Sequence, residues 1–314
     1  PVCIGKASVD MAKKIKKIFK VSNFKIEKGI LIVNKENFSK VKGFKCFSSG
    51  HPIPNRNGLD ASIFLENYLG KLEKNDLVLI FISGGGSALA PYPVDGISLE
   101  EKIIINKILL ESGANIKEIN IVRKHLSKLK GGNLVKICNP AYVHSFILSD
   151  VIGDDLSSIA SGMTTYDNST FRDVKKILNK YKIWTKIPKN IKNHINNGEK
   201  KKELETPEKN NKIFRKTNNT LIGSNNLCLN NMKNLCKKYN INSKIWFKNI
   251  DGDVKKISKR FSNNIKKIKY KTPVLLISGG ETTVKVNGKG KGGRNQVFAL
   301  YFAIEMKKIN PSKS

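Results

Sequence analysis

An α/β fold built on a parallel sheet, with a larger N-terminal domain and a smaller C-terminal one, is predicted by three features of this sequence. Short apolar runs of strand length alternate with amphipathic helical segments, the pattern of strands covered by helices on both faces. Several of these runs end in glycine- or serine-rich turns. A long polar tract then separates two stretches that each repeat the alternation, in a chain of 314 residues, long enough for two domains.

The elements follow in order. Pro1 to Ile4 reads as a buried strand broken by Gly5. Ser8 to Lys20 places Met11, Ala12, Ile15, Ile18 and Phe19 on one helical face with lysines opposite. Gly29 to Val33 is a second strand and Asp60 to Lys71 an amphipathic helix. Leu77 to Ile82, L-V-L-I-F-I, is a fully buried strand running into S-G-G-G-S. Leu99 to Ser112 is a helix closed by Gly113, and Tyr142 to Leu148 a strand ending at Ser149 and Asp150. The tract from Asn196 to Asn219 lacks apolar periodicity and reads as a linker or crossover. Beyond it, Thr220 to Gly223, Lys244 to Phe247 and Val274 to Ile277 read as strands. Leu227 to Tyr239, Val254 to Tyr270 and Gln296 to Lys308 read as helices. The predicted domains are 1–215 and 216–314, with a site in the cleft between them.

Charge and cysteine content narrow the function. Lysine and arginine number 58 against 25 acidic residues, a net of +33, which suggests an anionic partner. Only six of the bases are arginine, and the lysines are spread along the whole chain. Nucleic-acid readers favour the planar arginine fork and gather charge on one face. The excess therefore reads mainly as a solvated surface, with no specific nucleic-acid partner. No apolar run reaches membrane-spanning length, so no membrane partner is expected. Five cysteines, 3, 46, 138, 228 and 236, follow no zinc spacing and read as free thiols of a cytoplasmic protein. The chain opens at Pro1 inside a strand-like pattern, which suggests an upstream segment.

Seven segments could carry chemistry. Ser83, Gly84, Gly85, Gly86 and Ser87 follow the most apolar strand, where absent side chains let backbone N–H groups converge on an anion such as phosphate. The same run also suits a tight turn with no ligand. Ser278-Gly279-Gly280-Glu281 repeats the arrangement in the C-terminal half, making Gly279 and Gly280 further phosphate candidates. In Cys3-Ile4-Gly5-Lys6-Ala7 a lysine stands at a helix start, unfavourable to the dipole unless an anion lies beside it. That turn lacks the Gly-x-Gly-x-x-Gly spacing of nicotinamide enzymes. In the loop from Gly288 to Gln296, Lys289, Lys291 and Arg294 can wrap an oligoanion, and an arginine there suggests a bidentate contact. Arg123, in N-I-V-R-K-H-L-S, carries the same suggestion. Finally Asp150, Asp154 and Asp155 at a strand end suit a hard cation or a charged, helix-capping turn. His51, in a loop stiffened by two prolines, reads as a loop-shaping or substrate-contact residue.

At these residues the chain resembles the two-domain glycerate 2-kinases with a MOFRL C-terminal region. The blocks C-I-G-K-A, S-G-H-P-I-P-N, L-I-F-I-S-G-G-G-S-A-L, I-N-I-V-R-K-H-L-S-K-L-K-G-G, L-S-D-V-I-G-D-D, I-A-S-G-M-T, L-I-G-S-N, L-I-S-G-G-E-T-T-V and G-K-G-G-R-N-Q occur in family order. The resemblance implies a Rossmann-like N-terminal domain, a smaller α/β domain, and ATP-dependent phosphorylation of D-glycerate to 2-phosphoglycerate with Mg²⁺. It implies Lys6 and Arg294 as the catalytic residues. Ser83 to Ser87, Gly279, Gly280, Lys289, Lys291 and Asn295 are then expected at nucleotide phosphates, Arg123 and His51 at the substrate, and Asp150 with Asp154 at the metal. The chain departs from the family pattern at Cys3-Ile4, Asn55, Ile152 and Met163. It ends before the Gly- and Asp-rich segment that follows G-G-R-N-Q in the family and lacks the usual N-terminal helical segment, so truncation at both ends is expected. A homodimer is compatible with the resemblance. The alternatives are a hydroxypyruvate reductase-type oxidoreductase and a polyanion-binding protein.

Overall fold

The computed structural model describes residues 1–21, 27–268, 272–286, 288, 290 and 292–309. The chain divides into two compact units, Pro1–Ile222 and Gly223–Ser314. The first holds a six-stranded sheet in the order β3-β2-β1-β4-β5-β6. Its strands are β1 (Val2–Ile4), β2 (Gly29–Asn34), β3 (Phe44–Ser49), β4 (Leu77–Ile82), β5 (Tyr142–Leu148) and β6 (Thr217–Gly223). β3 with β2, β2 with β1, β1 with β4 and β4 with β5 all pair parallel.

Side chains alternate across this sheet, as a two-residue period requires. Val2, Ile4, Ile30, Ile32, Val78, Ile80 and Ile82 point into one core, and Cys3, Leu31, Val33 and Phe81 into the other. Helix α1 (Ser8–Val21) covers the second core with Val9, Ala12 and Ile15. Helix α2 (Arg56–Leu69) contributes Ala61, Leu65 and Leu69 to the first. Because both faces are covered, the central strands read as unbroken apolar runs.

Four helices that do not lie in the sheet layers form a third core. After the single turn α3 (Gly86–Leu89) come α4 (Leu99–Glu111) and α5 (Ile116–His125), each opened by a capping box, Ser98 with Glu101 and Asn115 with Glu118. α6 (Asn133–Cys138) returns to the sheet, whereas α7 (Phe171–Lys180) and α8 (Lys189–Gly198) pack on α4 and α5 through Phe171, Val174, Leu178, Ile191 and Ile195.

The polar tract expected as a linker is a strap bound to the first unit. Glu205 accepts hydrogen bonds from His125 Nε2 at 3.0 Å and the Phe171 N–H at 3.0 Å. The Thr206 hydroxyl donates to Asp167 Oδ2 at 3.1 Å. Buried polar anchors, invisible to hydrophobic periodicity, hold the strap, and β6 then completes the first sheet. The units therefore divide at 222/223, beyond the expected 215/216. Asp167 is also the counterion of the buried Lys124 at 3.2 Å. Asp167→Ala would leave that ammonium buried and unpaired, so a loss of about 3–5 kcal/mol is expected by urea denaturation.

The second unit pairs β7 (Ser243–Asp253) with β8 (Leu275–Thr283) in parallel, with two register shifts. It also contains α9 (Asn225–Lys238), α10 (Val254–Lys266) and α11 (Arg294–Ile309). Trp246, Phe247, Phe261 and Phe298 pack tilted and edge-on into an aromatic cluster. The strand expected to end at Ile277 runs on through Gly279 and Gly280. A Cβ on Gly280 would lie 2.3 Å from the Ile250 backbone, so this glycine lets β8 approach the bulged β7. All five cysteines are free thiols. No helix among the described residues is long and apolar enough to cross a membrane.

Candidate active site

The strand order reverses between β1 and β4, and both strands release their loops at the same carboxyl edge. In open parallel sheets this is where ligands bind. After β1 the chain turns at Gly5, whose φ is +131°. The turn is stitched to the loop after β4. The Lys6 N–H donates to the Gly84 carbonyl at 2.9 Å, the Ser83 N–H to the Ile4 carbonyl at 3.0 Å, and the Ala7 N–H to Ser83 Oγ at 3.1 Å. A Cβ on Gly5 would stand 2.2 Å from Ser83 Oγ, so only glycine permits this approach.

Three expected site residues, Asp150, His51 and Lys6, gather around the glycine loop. A Cβ on Gly84 would lie 2.1 Å from Asp150 Oδ2, which places that carboxylate directly on the loop. On Gly85, with φ +87°, a Cβ would lie 3.1 Å from the His51 ring and 3.2 Å from Lys6 Cε. Among the described residues, the N–H groups of Gly84, Gly85, Gly86 and Ser87 donate to no backbone carbonyl. Four such donors in a turn leading into a helix make an anion nest. Burial, and next the Lys6 charge, hold the His51 imidazole below its ordinary pKa against the opposing pull of Glu36 and Asp150.

The loop that carries His51 is closed by Asn55, whose Oδ1 accepts from the Gly50 N–H at 2.9 Å and the Gly58 N–H at 3.1 Å. One neutral oxygen thus ties the loop and caps α2, the work an acidic residue would do there. This accounts for the Asn55 departure from the family pattern.

Other expected residues have different roles or places. Ser83 is buried and its hydroxyl accepts from the Ala7 N–H, which holds the turn together. The Ser87 and Ser161 hydroxyls share a hydrogen bond of 2.7 Å, and Ser161 donates to Asn120 Oδ1 at 3.1 Å. Asp155, the third acidic residue of its segment, spends its carboxylate on the N–H and hydroxyl of Ser157 and on the Ser158 hydroxyl. Among the described residues, no three His, Cys, Asp or Glu side chains gather to hold a metal. Asp150 thus stands at the glycine loop, while Asp155 caps its own turn. In the second unit, Gly279 packs against Asn225 at the start of α9, where a Cβ would meet Asn225 Oδ1 at 2.0 Å. Asn295 lies in the first turn of α11, which Arg294 opens. The Arg294 guanidinium pairs with Glu281. Lys289 and Lys291 lie outside the described residues.

Two cavities flank α5. The larger, 740 Å³, contains Lys124, whose charge Asp167 already neutralises. The smaller, 560 Å³, is bounded by His51, Gly85 and Ser87 at the glycine loop and by Arg123, Lys102 and Lys130. The Arg123 Nε donates to Asn106 Oδ1 at 2.9 Å, and burial lowers its pKa. Its edge on the glycine loop makes the smaller cavity the substrate candidate. Lys102 and Lys130 escaped the sequence reading because nothing distinguishes a buried lysine among 52.

A family model described as a domain of unknown function, DUF4147, matches residues 2–196, and the MOFRL family model matches residues 274–313. The chain is 38% identical to the D-glycerate 2-kinase of Thermotoga maritima over 98% of its own length and 72% of that protein. It is 37% identical to the glycerate 2-kinase of Pyrococcus horikoshii over 95% of its length and 67% of that protein. A crystal structure of glycerate kinase from Thermotoga maritima superposes with a TM-score of 0.84 at 36% identity, covering 97% of this chain and 71% of that one. The chain belongs to the glycerate kinase family.

Proposed function

We propose that this protein is an ATP-dependent glycerate kinase that phosphorylates the 2-hydroxyl of D-glycerate. The observation that carries the reading is the meeting of Lys6, the free N–H groups of the Gly84–Ser87 loop and Asp150 at the sheet's switch point, beside a cavity rich in cations. Phosphoryl transfer asks a protein mainly to position its reactants and to neutralise charge on the phosphoryl oxygens. The loop N–H groups cradle nucleotide phosphate oxygens, and the Lys6 ammonium meets the transferred group as charge moves onto it. Arg294 serves as the second charge-stabilising group, by its match to the family's catalytic arginine. Arg123 and His51 line the glycerate side.

Mg²⁺ needs only one or two protein carboxylates, taking its other ligands from phosphates and water. A single carboxylate on the glycine loop fits that requirement, so Asp150 would hold the ion, with Asp154 as its second ligand. When bound, the ion neutralises phosphate charge. The reductase alternative lacks a dinucleotide fingerprint at β1, where Lys6 and Ala7 follow the only glycine.

The test is a coupled ADP-release assay on the purified protein with MgATP and D-glycerate. Glycerate-dependent release is the expected result. NAD(P)H oxidation with hydroxypyruvate, and no ADP release, would overturn the reading.

A further inference from the structure

The cavity beside the glycine loop holds more basic side chains than this scheme uses. Lys130 is 1% exposed, lines the cavity, and among the described residues its Nζ has no hydrogen-bond partner. Lys102, also buried, donates from Nζ to the Leu126 carbonyl at 3.0 Å. Arg123 acts electrostatically on both lysines, and Lys130 acts on Lys102. The cavity's single acidic residue, Glu111, is exposed and stands 3.9 Å from Lys107 on the same helix. A buried ammonium with neither counterion nor acceptor is among the least favourable arrangements in a protein. It is tolerated where a ligand completes it.

We propose that Lys130, reinforced by Arg123, is the receptor for the substrate's carboxylate, so that the pocket selects a small 2-hydroxy acid over an uncharged polyol. The proposal rests on the kinase reading and adds to it the group that recognises the acid. A carboxylate fits better than a phosphate chain. The rest of the wall is largely apolar, with Pro52, Ile53, Pro54, Ala88 and Ile103, and suits one charge on a small ligand. Phosphate oxygens have their own donors in the loop N–H groups at the cavity's Gly85–Ser87 edge.

The geometry has a pH signature. Burial, and then the Arg123 charge, bring the Lys130 ammonium down to about 7. A bound carboxylate favours the charged form, so the KM for D-glycerate should climb as pH rises above about 7, approaching tenfold per unit. The other charged groups facing this cavity are Lys102, Lys107 and Glu111 of α4, Arg123 of α5, and His51. His51 is held below its ordinary value, so it is already neutral over that range. Burial, Lys130 and Arg123 likewise push Lys102 far below the usual lysine range. Stability follows the opposite course. The charged, buried Lys130 weighs on the fold fully below about 7, and the penalty lifts as pH rises toward the ordinary lysine value.

The experiment compares wild type with Lys130→Met, and with Lys130→Gln as a second replacement. The expected result is a KM for D-glycerate raised about 100-fold with the KM for ATP within twofold. The preference for glycerate over glycerol and the climb of KM with pH should disappear, and Lys130→Met should raise Tm at pH 6. An unchanged glycerate KM and an intact preference over glycerol in a folded variant would overturn the proposal while leaving the kinase reading in place. If wild type instead fails to turn glycerate over, the kinase reading falls, and calorimetric titration of D-glycerate and of acetate decides the receptor. Binding to wild type that is lost in Lys130→Met sustains it; equal binding, or none to either, ends it.

Discussion

Lys6→Ala is expected to lower glycerate-dependent ADP release by about three orders of magnitude, about 4 kcal/mol of barrier, while leaving stability within about 0.5 kcal/mol of wild type. The two effects separate because Lys6 serves the fold through its backbone and the chemistry through its side chain. Its N–H donates to the Gly84 carbonyl and its carbonyl accepts from Asn37 Nδ2 at 3.0 Å. Alanine keeps both bonds. The side chain is exposed, with Cε beside Gly85, so its removal opens no core. Arg294→Ala should also lower activity, as its match to the family's catalytic arginine implies. Turnover close to wild type in a folded Lys6→Ala protein would remove Lys6 from the mechanism.

Gly5→Ala should act by the opposite route, through the fold. A methyl group there would lie 2.2 Å from Ser83 Oγ, 2.5 Å from the Ser83 carbonyl oxygen and 2.8 Å from its carbonyl carbon, at a φ of +131°. Most of these contacts are to backbone of the neighbouring strand's loop, which cannot swing aside as a flexible side chain can. The expected loss is about 3 kcal/mol or more, measured by urea denaturation, as two costs coincide: a conformation L-residues avoid and a clash at the sheet's centre. Surviving protein should also lose activity, since relief of the clash must part the Lys6 turn from the glycine loop. A stable, fully active Gly5→Ala protein would show that this approach is not needed.

Much of the first sheet was legible because its strands are buried on both faces and therefore apolar without interruption. β1, β2 and β4 were readable for that reason, and β5, Y-V-H-S-F-I-L, by the apolar residues that flank His144 and Ser145. β3, F-K-C-F-S-S, is only half covered, and its mixed composition hid it. β7 was read too short because its second half, K-N-I-D-G-D, continues through bulges with polar residues exposed. The strap before β6 looked like a linker, since its anchors are Glu205 and Thr206, polar groups whose partners lie far away in sequence. At the strand ends, glycines and a lysine pointed to the two loops that meet at the sheet's switch point, because close backbone approach leaves a compositional trace. The fate of individual hydroxyls and carboxylates leaves none. Ser83 and Asp155 were candidates for ligands and instead bond within the chain, while Lys130 became visible only through its burial.

The position of β1 in the middle of the sheet ties the timing of site assembly to the fold. Val2 pairs with Ile30 on one side and with Ile80 on the other, so the strand's second edge stays open until a far longer loop has closed. Closing long loops is entropically costly and comes late in sheets dominated by non-local pairing. The contacts that bring Lys6 to Gly84 belong to that closure. No collapsed intermediate holding only the first three strands can carry the constellation, so recovery of catalysis on refolding reports the completed sheet and nothing earlier.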